Sequence, residues 1–218
     1  MGASSLDSPL VGLMRRAGLV HGVKIGDQVM SWDVHRTLQV LEQNVTKDKP
    51  ILDIGCYASE LIVALHKRNY SNLTGADFDT NLTKMPYAGS IQYHVCNFMQ
   101  TSFANCSFEA ITAVSVIEHG FDGPALLAEV SRLLRPGGYF IASFDYWPTK
   151  VDTAGIELFG VNWKIFSQEE VNGLIKLAAR ANLIPVGKLN FAASAPVINF
   201  EGRQYTFGWM VLKKLDHT

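Results

Sequence analysis

The stretch Ile51-Leu52-Asp53-Ile54-Gly55-Cys56-Tyr57-Ala58-Ser59-Glu60 combines a carboxylate, a glycine and a helix-start signal. Its short apolar run at 51–54 is too brief for a helix and predicts a buried strand. Ser59 and Glu60 can begin a helix, because a serine side chain accepts hydrogen bonds from the first amide groups. A loop between a strand and a helix N-terminus presents backbone N–H groups to a ligand. The stretch therefore predicts a pocket for the polar end of a nucleoside-type ligand.

Two further strand ends carry side chains that suit a nucleoside. Asp77 ends a second apolar run, where a carboxylate can accept hydrogen bonds from the hydroxyls of a ribose. Phe78 beside it offers an apolar face to a purine. After a third run, the Asn97 amide can bond the edge of an adenine while Phe98 packs on its ring. Each of these residues alone is more often a turn former or a core residue, but their order at the ends of consecutive strands predicts an adenosine-type site.

Strands and helices alternate along the chain that positions these residues. The patterns predict strands at 51–54, 72–79, 91–96, 108–116, 139–144, 183–189 and 205–212, and helices at 31–45, 60–69, 124–134 and 168–182. This alternation predicts an α/β fold with a mostly parallel, doubly wound sheet, whose strand C-terminal ends share one ligand-binding edge. We expect a single domain at 31–218, an N-terminal extension at 1–30 over the substrate side, and an irregular stretch at 145–166.

Composition and net charge limit the binding partners and the cellular compartment that we expect. The chain of 218 residues has a net charge of -1 and no basic stripe, so we expect neither a nucleic-acid partner nor binding to acidic membranes. It has no apolar run of about 20 residues and no signal-peptide pattern near its start. The three cysteines form no C-x-x-C pair and the six histidines show no ligand spacing, so we expect a cytoplasmic protein without a metal site. Nothing in the pattern indicates an oligomeric state.

Four segments together resemble the successive motifs of class I S-adenosylmethionine-dependent methyltransferases. They are Ile51-Leu52-Asp53-Ile54-Gly55-Cys56, Thr74-Gly75-Ala76-Asp77, the run from Phe108-Glu109-Ala110-Ile111 through Val116-Ile117-Glu118-His119, and Leu133-Leu134-Arg135-Pro136-Gly137-Gly138. The resemblance covers about residues 50–145 and implies a Rossmann-like sheet of seven strands, with the last one antiparallel to its neighbours. It implies S-adenosylmethionine as the cofactor and a small-molecule acceptor. The cofactor-binding residues it implies are Asp53, Gly55, Cys56, Tyr57, Ser59, Asp77, Phe78, Asn97, Phe98 and Ser115.

The first motif departs from the family pattern of acid-x-Gly-x-Gly-x-Gly. Tyr57 and Ser59 occupy the second and third glycine positions, and Asn97 stands where the family often has Asp. The Tyr57 side chain can crowd or cover the methionine part of the cofactor, depending on its backbone angle. Ser59 can donate a hydrogen bond or cap the helix. We interpret these changes as variation within a working cofactor site. A dinucleotide site is disfavoured, because Gly55 lacks the later glycines of that fingerprint.

Candidate catalytic residues follow strands four and five. By resemblance, the reaction is methyl transfer to an oxygen or nitrogen of a small acceptor, such as a sugar or a secondary metabolite. A hydroxyl acceptor must lose its proton as it attacks, and His119, Asp145 and Tyr146 are our candidates for that step, with Glu118 nearby. His119 can equally hold its loop, and Tyr146, Trp147 and Trp163 can wall a substrate pocket.

A second interpretation remains open. Because Tyr57 and Ser59 replace two glycines, the chain can also be a catalytically silent methyltransferase-like domain that binds a cofactor or a partner.

Overall fold

The computed structural model describes residues 32–57 and 59–216. It contains four α-helices, which are α1 (Trp32–Asn44), α2 (Glu60–Lys67), α3 (Gly123–Leu133) and α4 (Gln168–Arg180), and a 3-10 helix at Thr80–Lys84. The strands are β1 (Ile51–Ile54), β2 (Leu73–Asp77), β3 (Ile91–Val95), β4 (Phe108–Val114), β5 (Leu134–Tyr146), β6 (Glu157–Leu158), β7 (Val161–Asn162), β8 (Leu183–Pro185), β9 (Ile198–Phe200) and β10 (Arg203–Lys214). The expectation for residues 1–30 lies outside the described residues.

The main sheet runs through seven strands in the order β3-β2-β1-β4-β5-β10-β8. The pairs among the first five are parallel, whereas β10 is antiparallel to both β5 and β8. The predicted Rossmann-like, mostly parallel sheet with an antiparallel last strand is therefore confirmed. In the register, Asp53 of β1 lies between Gly75 of β2 and Thr112 of β4. The carboxyl ends of these strands consequently meet at one edge.

Two apolar layers cover the two faces of this sheet. Helices α1 and α2 pack on one face, with Leu41, Leu61 and Leu65 fully buried among strand residues such as Ile141. Helices α3 and α4 pack on the other face against residues such as Phe140. Burial on both faces explains why most residues of β1 and β4 are apolar or small, as in parallel strands generally.

The helices begin where their capping residues predict. The Ser167 hydroxyl accepts from the Glu170 amide while the Glu170 carboxylate accepts from the Ser167 amide, so these two residues form a capping box at the start of the helix predicted at 168–182. Helix α3 begins after Asp122, with its proline in the first turn. Its C-terminal end is held by buried Lys214 of β10, whose Nζ donates to the carbonyls of Ser131 at 2.7 Å and Leu134 at 2.9 Å.

The structure corrects several predicted bounds. The strand predicted at 139–144 extends over Leu134–Tyr146, because Leu134 already pairs with Phe108 before a register shift in the ladder. The strand predicted at 183–189 ends at Pro185. The stretch 145–166 is less irregular than expected, since it contains the β6–β7 hairpin, and strand β9 was not predicted. None of the described helices combines the length and apolar character needed to cross a membrane.

Candidate active site

The loop after β1 is held by the buried carboxylate of Asp53. Its two oxygens accept from the Thr112 hydroxyl of β4 at 2.6 Å and from the Ser59 hydroxyl at 2.8 Å. The same Ser59 oxygen accepts from the Leu61 amide at 3.2 Å and caps α2. Ser59 therefore performs both roles expected of it, because a hydroxyl can donate and accept at once. Asp53 lies under the loop and fixes its shape.

Gly55 brings this loop against the turn that follows β4. Its φ of +63° lies in the left-handed region, where a side chain is strained. A Cβ at Gly55 would stand 2.5 Å from Cγ2 of Val116 and 2.8 Å from its Cγ1. The loops after β1 and β4 are thus in direct contact, and that contact requires the absence of a side chain at Gly55.

Asp77 stands at the end of β2, beside this loop. Its Oδ2 accepts from the Tyr57 amide at 2.9 Å and its Oδ1 accepts from the Asp79 amide at 2.9 Å. Burial raises the pKa of the Asp77 carboxyl, although these backbone donors act in the opposite direction. The carboxylate predicted to hold a ribose is therefore oriented by the loop after β1.

The side chains of Cys56 and Tyr57 turn toward the apolar layer that contains α1 and α2. The Cys56 thiol is fully buried against Gly75, where a Cβ would lie 2.5 Å from the sulfur. Burial raises its pKa well above the usual value, and the carboxylates of Asp53 and Asp77 add to this rise. The half-buried ring of Tyr57 packs against the same layer. Both residues can face a ligand through their backbone.

Two phenylalanines lie at the ends of β2 and β3. Phe78 is 52% exposed, and its ring stands edge-on to that of buried Phe98, with centroids 4.8 Å apart. The exposed side-chain oxygen of Asn97 accepts from the Met99 amide at 2.9 Å. Phe98 thus supports Phe78 from the core, and Phe78 leaves an aromatic face open beside Asp77.

The segment after Asn97 is tied to α3 by an ionic network. Glu129 accepts from the amide and hydroxyl of Thr101, and the Arg132 guanidinium donates to the same carboxylate at 2.7 Å. Burial raises the pKa of Glu129, but the hydrogen bonds from Arg132 and Thr101 outweigh it and lower the pKa to about 2. The loop after β3 is consequently fixed independently of any ligand.

Ser115 begins the turn after β4 with a φ of +51°. Its amide donates to the Ser143 hydroxyl of β5 at 2.9 Å, and that hydroxyl donates to Oδ2 of Asp33 in α1 at 2.5 Å. Neither Asp33 nor Ser143 belongs to a site predicted from the sequence. The available signal was helical spacing, since Asp33 and Thr37 share the buried face of α1 with Val34, Leu38 and Leu41.

Residues 156–164 cover the segment that carries Glu118 and His119. The Lys164 amide donates to the Glu118 carbonyl at 2.9 Å, and His119 forms a β-bridge with Trp163. The His119 ring stands edge-on to exposed Phe159, with centroids 5.1 Å apart. Its Nε2 lies 4.0 Å from the buried Glu118 carboxylate, and 14% of the His119 side chain is exposed. His119 therefore reaches solvent between this cover and the edge of the sheet.

Asp145, at the end of β5, is fixed by aromatic donors. Trp163 Nε1 donates to its Oδ2 at 2.7 Å. Burial raises the pKa of the Tyr205 hydroxyl, and the neighbouring carboxylates of Asp145 and Glu118 raise it further, as does its hydrogen bond to Asp145. The next residue, Tyr146, donates its hydroxyl to the Phe191 carbonyl at 2.7 Å. These contacts anchor the segments after β5 to its carboxyl end.

The structure thus forms two neighbouring groups of predicted residues at one edge of the sheet. One group surrounds the loop after β1 and includes Asp77 and Phe78. The other follows β4 and β5 and includes His119 and Asp145. Ser115 and Val116 lie between the groups. No cluster of three or more metal-binding side chains occurs among the described residues.

Comparisons with known proteins point to methyltransferases. A family model described as a methyltransferase domain matches residues 52–142, which contain β1 to most of β5. Ubiquinone/menaquinone biosynthesis C-methyltransferase UbiE from Desulfotalea psychrophila is 34% identical over 94 residues, covering 40% of this chain and 38% of that protein. An O-methyltransferase from Pyrenophora dematioidea is 28% identical over 110 residues, covering 46% of this chain and 41% of that protein. The chain therefore spans about two fifths of the length of these relatives.

The similarity to solved structures extends over nearly the whole chain, as one example shows. This example is Burkholderia thailandensis 1,6-didemethyltoxoflavin-N1-methyltransferase with bound 1,6-didemethyltoxoflavin and S-adenosylhomocysteine. The TM-score is 0.63 at 16% identity, and the match covers 99% of this chain and 94% of that chain. At this identity the likeness concerns the fold alone.

Proposed function

This chain belongs to the class I S-adenosylmethionine-dependent methyltransferase family, and from that premise we propose that it methylates an oxygen or nitrogen of a small-molecule acceptor. The observation that carries the proposal is the position of Asp77, which stands at the end of β2 between the loop after β1 and the open aromatic face of Phe78. A small acceptor suits the net charge of -1, which offers no general attraction to nucleic acid.

The residues at this edge fit S-adenosylmethionine. The Asp77 carboxylate accepts from backbone N–H groups, which include those of Tyr57 and Asp79, and the Phe78 amide also lowers its pKa. A carboxylate has about four acceptor positions in all, so acceptor capacity remains for a ribose hydroxyl. Phe78 would pack on the adenine, and Asn97 would bond the adenine edge. The backbone of the loop at Gly55–Tyr57 would border the methionine part, because the side chains of Cys56 and Tyr57 are directed to the apolar layer.

When bound, S-adenosylmethionine supplies an electrophilic methyl group, so the protein must chiefly align the acceptor and exclude water. Residues 156–164 provide this cover over the carboxyl end of β4. We propose that His119 takes the proton of a hydroxyl acceptor, since its ring is partly exposed and the Glu118 carboxylate lies 4.0 Å away. Asp145 and Tyr146 serve this site by holding the surrounding wall in place.

One observation favours the alternative of a catalytically silent domain. The Tyr57 amide bonds the carboxylate that a ribose would use, so the loop after β1 closes onto Asp77. A ligand that needs both oxygens fully accessible would have to displace this bond. The alternative therefore predicts weak cofactor binding, or binding without turnover.

The test begins with calorimetric titration of S-adenosylhomocysteine and S-adenosylmethionine into the purified chain, with NAD as the control ligand. We expect micromolar binding of both nucleosides and no heat with NAD. Asp77→Asn, which keeps the side-chain size, should weaken binding at least tenfold, because hydrogen bonds to a charged group contribute about 1.5–3 kcal/mol. Asp79→Ala, a matched removal of a carboxylate two residues away, should change the affinity less than threefold.

An acceptor screen then separates the two candidate functions. The screen should include sugars, amines, carboxylates and phenols, with formation of S-adenosylhomocysteine as the readout. Turnover that falls at least tenfold in His119→Gln would support the proposed base. Tight binding without turnover on any acceptor would favour the silent domain, and a folded chain that binds neither nucleoside would refute the cofactor assignment.

A further inference from the structure

A buried relay of polar groups joins helix α1 to the turn after β4. Ser143 lies in the middle of this relay. Its oxygen accepts from the Ser115 amide at 2.9 Å, and it donates to the Asp33 carboxylate at 2.5 Å. The direction of both bonds is fixed, because an amide only donates and an ionised carboxylate only accepts. The Asp33 carboxyl group thus orients the hydroxyl that holds the Ser115 amide.

The relay lies in the protein interior, beside the start of α1. Asp33, Ser143 and Ser115 are all buried, with Asp33 only 3% exposed. Asp33 lies in the first turn of α1, where the helix dipole favours a negative charge, and its Oδ1 accepts from the Val34 amide at 2.7 Å. Hydrogen bonds to an ionised acceptor are short and strong, in agreement with the 2.5 Å distance to Ser143.

The turn held by this relay is strained and touches the loop after β1. Ser115 has a φ of +51°, a conformation that persists only when the surrounding structure enforces it. The next residue, Val116, packs so closely on Gly55 that a Cβ there would lie 2.5 Å from its Cγ2. A change in the turn therefore moves Val116, and Gly55 must follow. The relay thereby reaches the loop that borders the proposed cofactor pocket.

We propose that Asp33 is a positioning residue that sets cofactor affinity by holding, through Ser143, the left-handed turn at Ser115. This inference rests on the proposed function, because it assumes that the loop at Gly55 binds S-adenosylmethionine. Coupling of this kind passes through a continuous series of packed groups, from Asp33 to Ser143, Ser115, Val116 and Gly55.

The experiment measures the affinity for S-adenosylhomocysteine in relay variants of the full chain. Asp33→Ala and Ser143→Ala should each weaken binding about tenfold, and the double variant should bind about as weakly as either single variant. Asp33→Asn keeps an acceptor for the Ser143 hydroxyl and should stay within about threefold of the wild type. The matched control is Thr37→Val, because Thr37 lies on the same face of α1 and its hydroxyl accepts from Trp209 Nε1 at 3.1 Å. It should lower the melting temperature without changing the affinity.

A second measurement tests the turn without the cofactor. Amide hydrogen exchange of the peptide containing Ser115 should accelerate in Asp33→Ala and Ser143→Ala, and should stay at the wild-type rate in Thr37→Val. Folded relay variants with wild-type affinity would overturn the proposal, as would an equal loss of affinity in Thr37→Val. A wild-type chain that binds no S-adenosylhomocysteine would refute the proposed function and the effect on affinity together, whereas unchanged exchange in the relay variants would refute the relay itself.

Discussion

Replacing Gly55 with alanine tests the contact between the loops after β1 and β4. The new Cβ would lie 2.5 Å and 2.8 Å from the two methyl carbons of Val116, at a φ of +63°. The left-handed conformation costs about 1–2 kcal/mol for an L-residue. Overpacking against buried Val116 adds about 1–3 kcal/mol. We therefore expect Gly55→Ala to lower the free energy of unfolding by about 2–5 kcal/mol.

A double variant separates the strain from the overpacking. Val116→Ala alone removes buried methyl groups and should cost about 1–2 kcal/mol. It also removes the two nearest atoms that the Cβ at position 55 would meet and leaves the Cβ of residue 116, which would lie 3.2 Å away. The loss of unfolding free energy in the double variant Gly55→Ala/Val116→Ala should consequently be about 1–3 kcal/mol smaller than the sum of the losses in the two single variants.

Urea denaturation at pH 7 measures these differences, and titration with S-adenosylhomocysteine measures their effect on the proposed pocket. Gly155→Ala is the matched control, since Gly155 has a φ of +76° and no heavy atom would lie within 4 Å of its Cβ. Gly155→Ala introduces the backbone strain without the overpacking, so it should lower the free energy of unfolding by about 1–2 kcal/mol. Additive single effects, or a loss at Gly55 no larger than that at Gly155, would refute the close contact as the cause.

Three further predictions concern the network around the site. Because the pKa of Glu129 is lowered to about 2, the stability that its charge contributes is complete above about pH 5 and is lost as the pH falls toward 2. In urea denaturation at pH 7, the free energy of unfolding of the wild type should exceed that of Glu129→Gln by about 2–3 kcal/mol, and the difference should be smaller at pH 3. Lys214→Met should lower the free energy of unfolding by about 1–3 kcal/mol, because buried carbonyls at the end of α3 lose their donor. Trp163→Phe removes a donor from the buried Asp145 carboxylate and should cost about 2–4 kcal/mol, again measured by urea denaturation.

The elements that the sequence predicted well are those with local signals. The start of α4 depends on Ser167 and Glu170, which are three positions apart, and the start of α3 was predicted from Pro124, which lies in its first turn. Mostly apolar runs predicted β1 and β4, because both strands are covered on two faces. Such signals need no knowledge of the rest of the chain.

Local sequence signals did not predict the contacts that shape the site. The bond between Asp33 and Ser143 joins residues 110 positions apart, and Trp163 reaches Asp145 across 18 positions. A buried polar residue acquires its partner only when the sheet is assembled, so residue type and spacing predict its burial but not its contact. The same holds for strand β9 and the β6–β7 hairpin, whose pairings are short.

The backbone explains how the loop after β1 tolerates its missing glycines. Of the positions where the family has glycine, Gly55 is the one with a left-handed φ and a contact that leaves no room for a Cβ. Ser59 has a φ of -66°, which any residue adopts, and Tyr57 is not among the described residues with a positive φ. At position 59 the substitution adds a hydrogen bond, from the Ser59 hydroxyl to Asp53, whereas the bond from the Tyr57 amide to Asp77 comes from the backbone and does not depend on the side chain. The loop therefore needs glycine at one position only, and its other two positions tie it to the ends of β1 and β2.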